Sequence, residues 1–345
     1  MKRRSRPKKP LPKEKPIVSR LQLQAAVYGF RRSRIILTAF ELGLFSQLQD
    51  RWLDSEKLAK AIGTDARATD RLLNALCVLG LVKKKDGRFA NAKLARELLV
   101  AGKPGFLAGL GHTANQWQSW HTLSEAVRRG TAVWQRKPGP DAAKGLAGFI
   151  AAMHERATPQ AAAIVKLLDL TGVKRCLDIG AGSAAYAMAL ARAGAGIRVT
   201  AFDRPVVLPL TRDYVRRAGL LSRIDLVAGD FHGDDWGQGY DLILLSAIVH
   251  MNSPRENERL IARAARSLNP GGQLVIQDFI MAPDRTRPAA GAFFALNMLV
   301  ATARGDAFTA AEVRGWMQAA GLKKIVRHAT PFDASLLIGR KPCGA

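Results

Sequence analysis

Residues 175–191 read RCLDIGAGSAAYAMALA, and this stretch decides the fold. A strand-like apolar run passes directly into a glycine-containing turn and then into a helix-forming run. Gly180 and Gly182 let the backbone turn tightly and approach a ligand, and the following helix presents free N–H groups to an anionic group. Taken alone, this Gly-x-Gly-x-x-Ala pattern fits a dinucleotide, S-adenosylmethionine or only a tight turn.

Strand-like and helical runs alternate outward from this turn through the C-terminal half. Helical runs separate the first five candidate strands, which predicts a doubly wound, parallel α/β sheet. The segment that joins the last two strands is shorter than the roughly dozen residues of a parallel crossover, so we expect the final strand to run antiparallel. The seven candidate strands are Arg175–Ile179, Arg198–Phe202, Ile224–Ala228, Leu242–Ser246, Gln273–Asp278, Lys323–Arg327 and Leu336–Gly339.

Two aspartates end the next two strands of this series. Asp203 lies 23 residues after Gly180, which suits a carboxylate that accepts both hydroxyls of a ribose. Asp230 can accept an adenine amino group while Phe231 packs on the ring. The alternatives are a surface carboxylate for Asp203 and a turn cap for Asp230. Because parallel sheets bind ligands at the carboxyl ends of their strands, these positions together predict a bound adenosyl cofactor.

The chain divides into four predicted segments. Residues 1–16 are basic and rich in proline, which predicts a disordered tail. Residues 17–104 are predicted to form a helical domain that ends in a hairpin. Residues 105–168 read as connecting helices, broken by a turn at 137–140, that contribute to a substrate pocket. Residues 169–345 form the predicted α/β domain.

The helical domain carries local signals for a winged helix. Asp54 or Ser55 can cap one helix and Asp65 the next. Two short strand-like runs follow, joined by Asp86-Gly87, which is a type I′ hairpin signal. Three helices followed by a hairpin make up a winged helix.

Composition narrows the class of protein. The chain has 345 residues, 48% of them hydrophobic, which excludes a protein that is disordered throughout. Its formal net charge of +25 suits either an acidic partner or a solvated basic surface. The three cysteines are too scattered for a disulfide framework or a metal cluster and favour a reducing compartment, hence the cytoplasm. The apolar stretch Ala289–Ala303 falls short of the about 20 residues of a membrane span, so we expect a buried helix and no membrane insertion.

The motifs occur in an order that resembles the winged-helix O-methyltransferases, which include plant caffeic acid and acetylserotonin methyltransferases and bacterial antibiotic-tailoring enzymes. The resemblance covers both domains from about residue 17. It implies a seven-stranded, Rossmann-like class I methyltransferase sheet, S-adenosylmethionine as methyl donor, and a homodimer formed through the winged helix. The matching motifs are Asp178–Gly182, Asp203-Arg204-Pro205, Gly229-Asp230-Phe231, Val249-His250 and Asn269-Pro270-Gly271-Gly272.

The resemblance also implies which residues bind the cofactor. The family's contacts fall at Gly180 in the glycine turn, which also holds Gly182, and at Asp203, Asp230 and Phe231. A lysine that helps to bind the cofactor in plant members falls at Ser246, so we expect a cofactor site without that charged contact.

His250 is the candidate general base, because a neutral imidazole that follows the fourth strand can accept a proton from an attacking hydroxyl. The resemblance assigns it this role and makes Asp278, at the end of the fifth strand, the carboxylate that orients it. Two positions differ from the family pattern. The common His-Asp-Trp is here His250-Met251-Asn252, and a second acidic partner of the histidine falls near Ala307, with Asp306 beside it.

Five residues are candidates for lining an acceptor pocket. Phe149, Met153 and Met298 match substrate-lining positions of plant relatives, and Phe294 and Asn297 precede Met298 on the same predicted helix. The alternative for all five is an ordinary core position. An apolar pocket with one amide suits a flat aromatic or polyketide-like molecule.

The favoured function is therefore an O-methyltransferase that acts on a small hydroxylated molecule. The basic net charge and Lys83-Lys84-Lys85 in the hairpin motivate one alternative, a nucleic-acid-binding or RNA-modifying enzyme, but no aromatic stripe for stacking bases accompanies them, so we expect no specific binding. A nicotinamide-dependent oxidoreductase would explain the glycine turn but neither Asp230 nor His250. Methylation of carbon or nitrogen is a further alternative within the same fold.

Overall fold

The structure is a computed structural model that describes residues 16–134 and 140–343. The described residues form two compact units, one within 15–118 and 138–152 and the other within 119–137 and 153–345. All of the predicted basic tail except residue 16 lies outside the described residues, as does the predicted turn at 137–140 except its last residue. The predicted domain boundaries at residues 104 and 168 stay predictions.

The N-terminal unit is mainly helical and carries one antiparallel hairpin. Its elements are α1 (Arg20–Tyr28), α2 (Phe30–Glu41), α3 (Leu44–Leu48), α4 (Ser55–Ile62), α5 (Ala66–Val78), β1 (Val82–Lys85), β2 (Arg88–Asn91), α6 (Lys93–Leu98) and most of α7 (Leu110–Trp120). The side chains at its centre are wholly buried and include Phe45, Leu58, Leu73 and Phe89.

Local chemistry sets where these elements begin and turn. Asp54 accepts a hydrogen bond from the Lys57 N–H and Asp65 from the Ala68 N–H, so both predicted caps are confirmed. The φ angles of Asp86 and Gly87 are 48° and 71°, as a type I′ turn requires. The helices and the hairpin therefore follow the order predicted for the winged helix.

The C-terminal unit is built on one seven-stranded sheet. Its strands are β3 (Arg175–Ile179), β4 (Arg198–Asp203), β5 (Ile224–Ala228), β6 (Tyr240–Ser246), β7 (Leu268–Asp278), β8 (Lys323–Ala329) and β9 (Ser335–Arg340). The helices of this half of the chain are α8 (Leu123–Arg129), α9 (Pro140–Val165), α10 (Ala185–Ala193), α11 (Leu208–Arg217), α12 (Pro254–Ser267), α13 (Ala289–Ala301) and α14 (Ala310–Ala319). The first part of α9, to residue 152, belongs to the N-terminal unit.

The strand order places the carboxyl ends of five parallel strands along one edge. The order across the sheet is β5-β4-β3-β6-β7-β9-β8, and β3 to β7 pair in parallel. Strand β9 inserts between β7 and β8 and runs antiparallel to both, which confirms the predicted seven-stranded sheet with an antiparallel last strand. Two apolar layers, one on each face, bury the sheet.

The predicted buried helix is present as α13, but the prediction that it is buried is only partly correct. Met298 and Val300 are buried, whereas Phe293 is 53% exposed in the single chain. The reason is that an apolar run says nothing about how many sides of a helix find a packing partner. In the described parts of the chain, no helix combines the length and apolar character that a bilayer crossing needs.

Candidate active site

The glycine turn between β3 and α10 forms the centre of the site. Gly180 and Gly182 both have left-handed backbones, with φ angles of 69° and 55°. A β-carbon at position 180 would lie 2.2 Å from Cδ1 of Ile248, and the left-handed φ also disfavours any other residue there. Glycine therefore suits both the backbone conformation of the turn and its close packing against Ile248.

Asp203 connects this turn to the end of β4. One carboxylate oxygen accepts from the Gly182 N–H at 2.7 Å and the other from the Arg204 N–H at 2.7 Å. Burial raises the pKa of Asp203, while these two N–H groups act in the opposite direction. Each oxygen keeps a lone pair for a further donor, such as a ribose hydroxyl.

Asp178 lies within the glycine motif, and no signal in the sequence predicts a separate role for it. Its carboxylate accepts from the Ala187 N–H at 3.1 Å, in the first turn of α10. Complete burial, with the nearby charge of Asp203 adding to it, raises the pKa of Asp178 to about 7. The sequence shows an acidic residue near the end of the first strand. It does not show that this residue is buried, because burial depends on how α10 packs.

Asp230 and Phe231 follow β5 at the same edge of the sheet. Asp230 is exposed, and its carboxylate accepts from the His232 N–H at 2.9 Å. This contact is the turn cap that the sequence offers as the alternative role of Asp230. The half-buried Phe231 ring lies 4.6 Å from the His232 ring. Because β5, β4 and β3 are neighbours, the structure brings Gly180, Asp203 and Asp230 to one edge, as expected from the sequence.

His250 and Asp278 form a buried pair beyond the ends of β6 and β7. His250 lies in a 3₁₀ turn (Val249–Met251), and its Nδ1 is 2.8 and 3.0 Å from the two carboxylate oxygens of Asp278. A carboxylate only accepts, so Nδ1 carries a proton, and in the neutral form of the ring the lone pair is then on Nε2. The Phe279 N–H donates to Asp278 at 2.8 Å and fixes the carboxylate in turn.

The position expected for a second acidic partner does not supply one. Ala307 is buried, and the Asp306 carboxylate contacts the Arg285 guanidinium at 3.3 Å and the Ala307 N–H at 2.7 Å. The backbone N–H of Asp306 donates to the His250 carbonyl at 3.0 Å. Asp306 therefore supports the turn through its backbone.

One aromatic ring packs against the imidazole of His250. The Phe294 ring meets that of His250 edge-on at 4.7 Å and stacks on Phe279 at 4.3 Å. The Arg156 guanidinium lies 4.8 Å above the Phe279 ring. Of the predicted acceptor-lining residues, Phe294 thus lies directly beside the candidate base.

The other predicted acceptor residues are placed less closely together. On α13, Met298 is buried and the Asn297 side-chain oxygen accepts from the Trp120 indole N–H at 3.0 Å. Met153 lies on α9 and is the first residue of that helix that belongs to the C-terminal unit. Phe149 lies in the N-terminal unit, where its ring meets that of His112 edge-on at 5.1 Å.

A second contact of the glycine turn had no signal in the sequence. His154 on α9 shares a hydrogen bond of 2.9 Å with Ser183, and its ring stacks on Tyr214 at 4.1 Å. Burial, with Arg217 adding a smaller effect, lowers the pKa of His154. A histidine in a helical run of the sequence does not predict a hydrogen-bond partner 29 residues away.

The residues at this edge suit an adenosyl cofactor. The glycine turn exposes no β-carbons of its own at positions 180 and 182, Asp203 offers acceptors for hydroxyl groups, and Asp230 and Phe231 offer an acceptor and a ring further along the edge. In the parts of the chain that the structure describes, no cluster of three or more His, Cys, Asp or Glu residues could hold a metal ion.

Comparison with known proteins agrees with this geometry. A family model for the O-methyltransferase domain matches residues 120–323, and one for the O-methyltransferase dimerisation domain matches residues 25–101. The chain is 30% identical to 3-hydroxy-5-methyl-1-naphthoate 3-O-methyltransferase of Streptomyces sahachiroi, over 91% of this chain and 93% of the relative. It is also 30% identical to the tetracenomycin polyketide synthesis 8-O-methyl transferase TcmO of Streptomyces glaucescens, over 93% of this chain and 96% of the relative.

A solved structure has the same fold across both units. The structure described as PigF with SAH superposes with a TM-score of 0.85 at 27% identity, and the match covers 94% of this chain and all of that one. The nicotinamide-dependent alternative is therefore wrong. The chain belongs to the S-adenosylmethionine-dependent O-methyltransferase family, as a member with an N-terminal dimerisation domain.

Proposed function

We propose that the protein transfers the methyl group of S-adenosylmethionine to a hydroxyl of a small aromatic or polyketide-like molecule, with His250 as general base. The observation that carries this proposal is the His250–Asp278 pair. In a neutral ring whose Nδ1–H is directed to Asp278, the lone pair is on Nε2, and the pair follows strands of the same sheet whose β3 leads into the glycine turn.

The residues at the glycine edge would hold the cofactor. Gly180 and Gly182 would admit it against the backbone, and Asp203 would accept from its ribose hydroxyls. Asp230 and Phe231 would contact its adenine, and Ser246 would contact it from the end of β6. When bound, S-adenosylmethionine supplies a methyl group on a positively charged sulfur.

His250 would act on the proton of the acceptor hydroxyl. Its Nδ1–H is held by Asp278, so the ring is fixed with Nε2 free to accept a proton, and the carboxylate stabilises the imidazolium that results. Orientation of the acceptor by the surrounding rings contributes the larger part of catalysis, about 7–11 kcal/mol in favourable cases, and proton removal adds roughly 10²–10⁴-fold.

The residues proposed to line the acceptor pocket, and the names of the relatives, support the proposed class of acceptor. Phe294 presents an aromatic face beside His250, and Met153, Asn297 and Met298, with Phe149, are the further lining residues we propose. The two 30% identical relatives are named for a hydroxynaphthoate and for a tetracenomycin polyketide. A naphthoate is a flat, fused aromatic molecule, and aromatic rings stack favourably on such a surface.

We also propose that the protein is a homodimer. The dimerisation-domain match covers residues 25–101, and apolar side chains face solvent in the single chain at its start and just before it. Val18, which precedes α1, is 80% exposed, and Leu21 and Val27, on α1, are 78% and 59% exposed. Exposed apolar side chains that lie this close in sequence support an interface there.

The test of the catalytic role is His250→Ala, assayed with a phenolic acceptor found by screening hydroxynaphthoates and hydroxylated polyketides with labelled methyl donor. We expect kcat to fall by roughly 10²–10⁴ with little change in cofactor affinity, because the residue acts only on the hydroxyl proton. The loss shrinks at high pH, where a phenol with a pKa near about 10 ionises without help.

Asp278→Asn is the second variant. It should lower kcat less than His250→Ala does, because it affects only the orientation of the imidazole and the stabilisation of its charged form. Glu258→Ala, an exposed residue on the following helix, is the matched control. Wild-type turnover by His250→Ala at all pH values would mean that the enzyme works by positioning alone, and the proposed base would be wrong.

A further inference from the structure

Arg156 is a half-buried cation on α9, in the part of that helix that belongs to the C-terminal unit. Its guanidinium packs over the Phe279 ring at 4.8 Å. Within the described parts of the chain, this guanidinium takes part in no ion pair and no hydrogen bond. Contact with the face of a ring uses the charge of an arginine but none of its five N–H groups as conventional hydrogen-bond donors. These donors are therefore available to a ligand.

The Phe279 ring connects Arg156 to the candidate base. Phe279 stacks on Phe294 at 4.3 Å, and Phe294 meets the His250 imidazole edge-on at 4.7 Å. Phe279 and Phe294, the ring pair, thus lie between the guanidinium and the imidazole in one series of contacts. A cation that can donate hydrogen bonds and the candidate base therefore stand at the two ends of an aromatic surface.

The neighbouring groups of this chain do not supply an anion for Arg156. The Asp278 carboxylate is engaged by His250 and by the Phe279 N–H. Burial raises the pKa of Tyr186 to about 12, with the charge of Arg156 acting in the opposite direction, so this nearby hydroxyl keeps its proton. A partly desolvated cation is stabilised when an anion pairs with it, and here a bound molecule would have to bring that anion.

We propose that Arg156 binds a carboxylate of the methyl acceptor, an inference that rests on the proposed function and on the acceptor hydroxyl lying at Nε2 of His250. A guanidinium pairs with a carboxylate through two parallel N–H···O bonds, which fix direction as well as distance. The ring pair offers a flat molecule a surface on which to stack between its two polar ends. The protein thus selects hydroxylated aromatic acids over neutral phenols, and Arg156 is a specificity residue that takes no part in the proton transfer.

The experiment pairs each acceptor with a neutral analogue. Hydroxynaphthoic acids and their methyl esters are assayed with the full-length protein, and kcat and KM are measured for both members of each pair. We expect the wild type to favour the acid. Arg156→Gln should raise the KM for the acid about 10–100-fold, as for loss of hydrogen bonds between charged groups, and leave the KM for the ester within about twofold. Arg156→Lys keeps the charge but not the paired N–H groups, so its KM for the acid should lie between these values.

Arg192→Gln removes an exposed arginine on α10 and is the matched control, which should change neither KM. An unchanged KM of Arg156→Gln for the acid, or equal increases for the acid and the ester, would overturn the proposal, because the arginine would then only support the ring pair. A wild-type preference for the esters would overturn it as well.

Calorimetry with S-adenosylhomocysteine separates this role from cofactor binding and verifies that each variant is folded. All variants should bind S-adenosylhomocysteine as the wild type does. A loss of that affinity in Arg156→Gln would place the arginine at the cofactor and overturn the proposal. Failure of the wild type to methylate any of the acids or esters would instead contradict the proposed function.

Discussion

At the scale of single residues, the site is defined by carboxylates in different environments. Beside the glycine turn, Asp178 is buried and Asp203 is partly buried, and Asp203 accepts two backbone N–H groups whereas Asp178 accepts one. Asp278 instead contacts a histidine. The three aspartates therefore differ in burial and in hydrogen-bond partners, which are the factors that set the behaviour of a carboxylate.

Asp178 gives the folded protein a specific dependence on pH. Its pKa is about 7 in the folded protein and about 4 when unfolded, so the folded state binds this proton more tightly. Its contribution to stability is complete below about pH 4 and is lost as the pH rises to 7. Asp178→Asn should remove this effect. The unfolding free energy of the variant minus that of wild type should increase by about 2–3 kcal/mol from pH 5 to pH 8.

Urea unfolding of the cofactor-free protein, at one protein concentration, measures this difference. Asp225→Asn, at an exposed position on β5, is the control and should show the same difference at both pH values. A difference for Asp178→Asn that stays constant between pH 5 and pH 8 would contradict the raised pKa.

At the scale of elements, the turn that bears His250 is held by the helix that follows it. Helix α12 begins with a capping box, in which Ser253 and Glu256 satisfy each other's backbone N–H groups. Asn257, wholly buried in its first turn, donates to the Val249 carbonyl at 2.8 Å and accepts from the Asn252 amide at 3.1 Å. A side chain of α12 therefore holds both ends of the turn that bears His250.

Asn257→Ala should both destabilise the protein and slow it. The variant leaves the Asn252 side-chain amide without this acceptor and removes one of the two donors to the Val249 carbonyl, so we expect the unfolding free energy to fall by about 1–3 kcal/mol. We also expect a lower kcat with little change in the KM for S-adenosylmethionine, because the imidazole loses its fixed position. Steady-state kinetics and urea unfolding measure the two effects. A destabilised variant that retains full kcat would show that Asp278 alone positions His250.

At the scale of the whole molecule, charge and apolar surface have different consequences. Of the three hairpin lysines, Lys84 is engaged within the unit, 3.8 Å from the Asp70 carboxylate and 4.8 Å from the Phe89 ring. The hairpin thus uses part of its charge internally, and the expectation that the protein binds no nucleic acid specifically stays a prediction from the sequence. Unlike the basic hairpin, α1 exposes several apolar side chains to solvent in the single chain.

The proposed dimer can be tested by substituting this apolar face. Light scattering at micromolar concentration should give twice the chain mass of 37.4 kDa for the wild type. Leu21→Lys combined with Val27→Lys should shift the protein towards the monomer, because charges replace buried apolar area. Val326→Lys, half-exposed on the edge strand β8, is the control. A wild-type protein of 37.4 kDa would contradict the proposed dimer.

The sequence by itself determined the order and type of the elements. Apolar runs marked the strands, Asp54 and Asp65 marked the starts of helices, and Asp86-Gly87 marked the hairpin, because each of these signals acts within a few residues. The short connection before β9 required an antiparallel strand for the same local reason. The glycine turn also indicated the edge of the sheet at which a ligand binds.

Only the tertiary structure decided how distant side chains pair. Gly182 meets Asp203, His250 meets Asp278 and Tyr186 meets Gln277, across 21, 28 and 91 residues of chain. No local pattern encodes such pairs or the burial that raises the pKa of Asp178. Hydrogen bonding and desolvation depend on which groups packing brings within a few ångströms, and packing is a property of the assembled sheet and its helices.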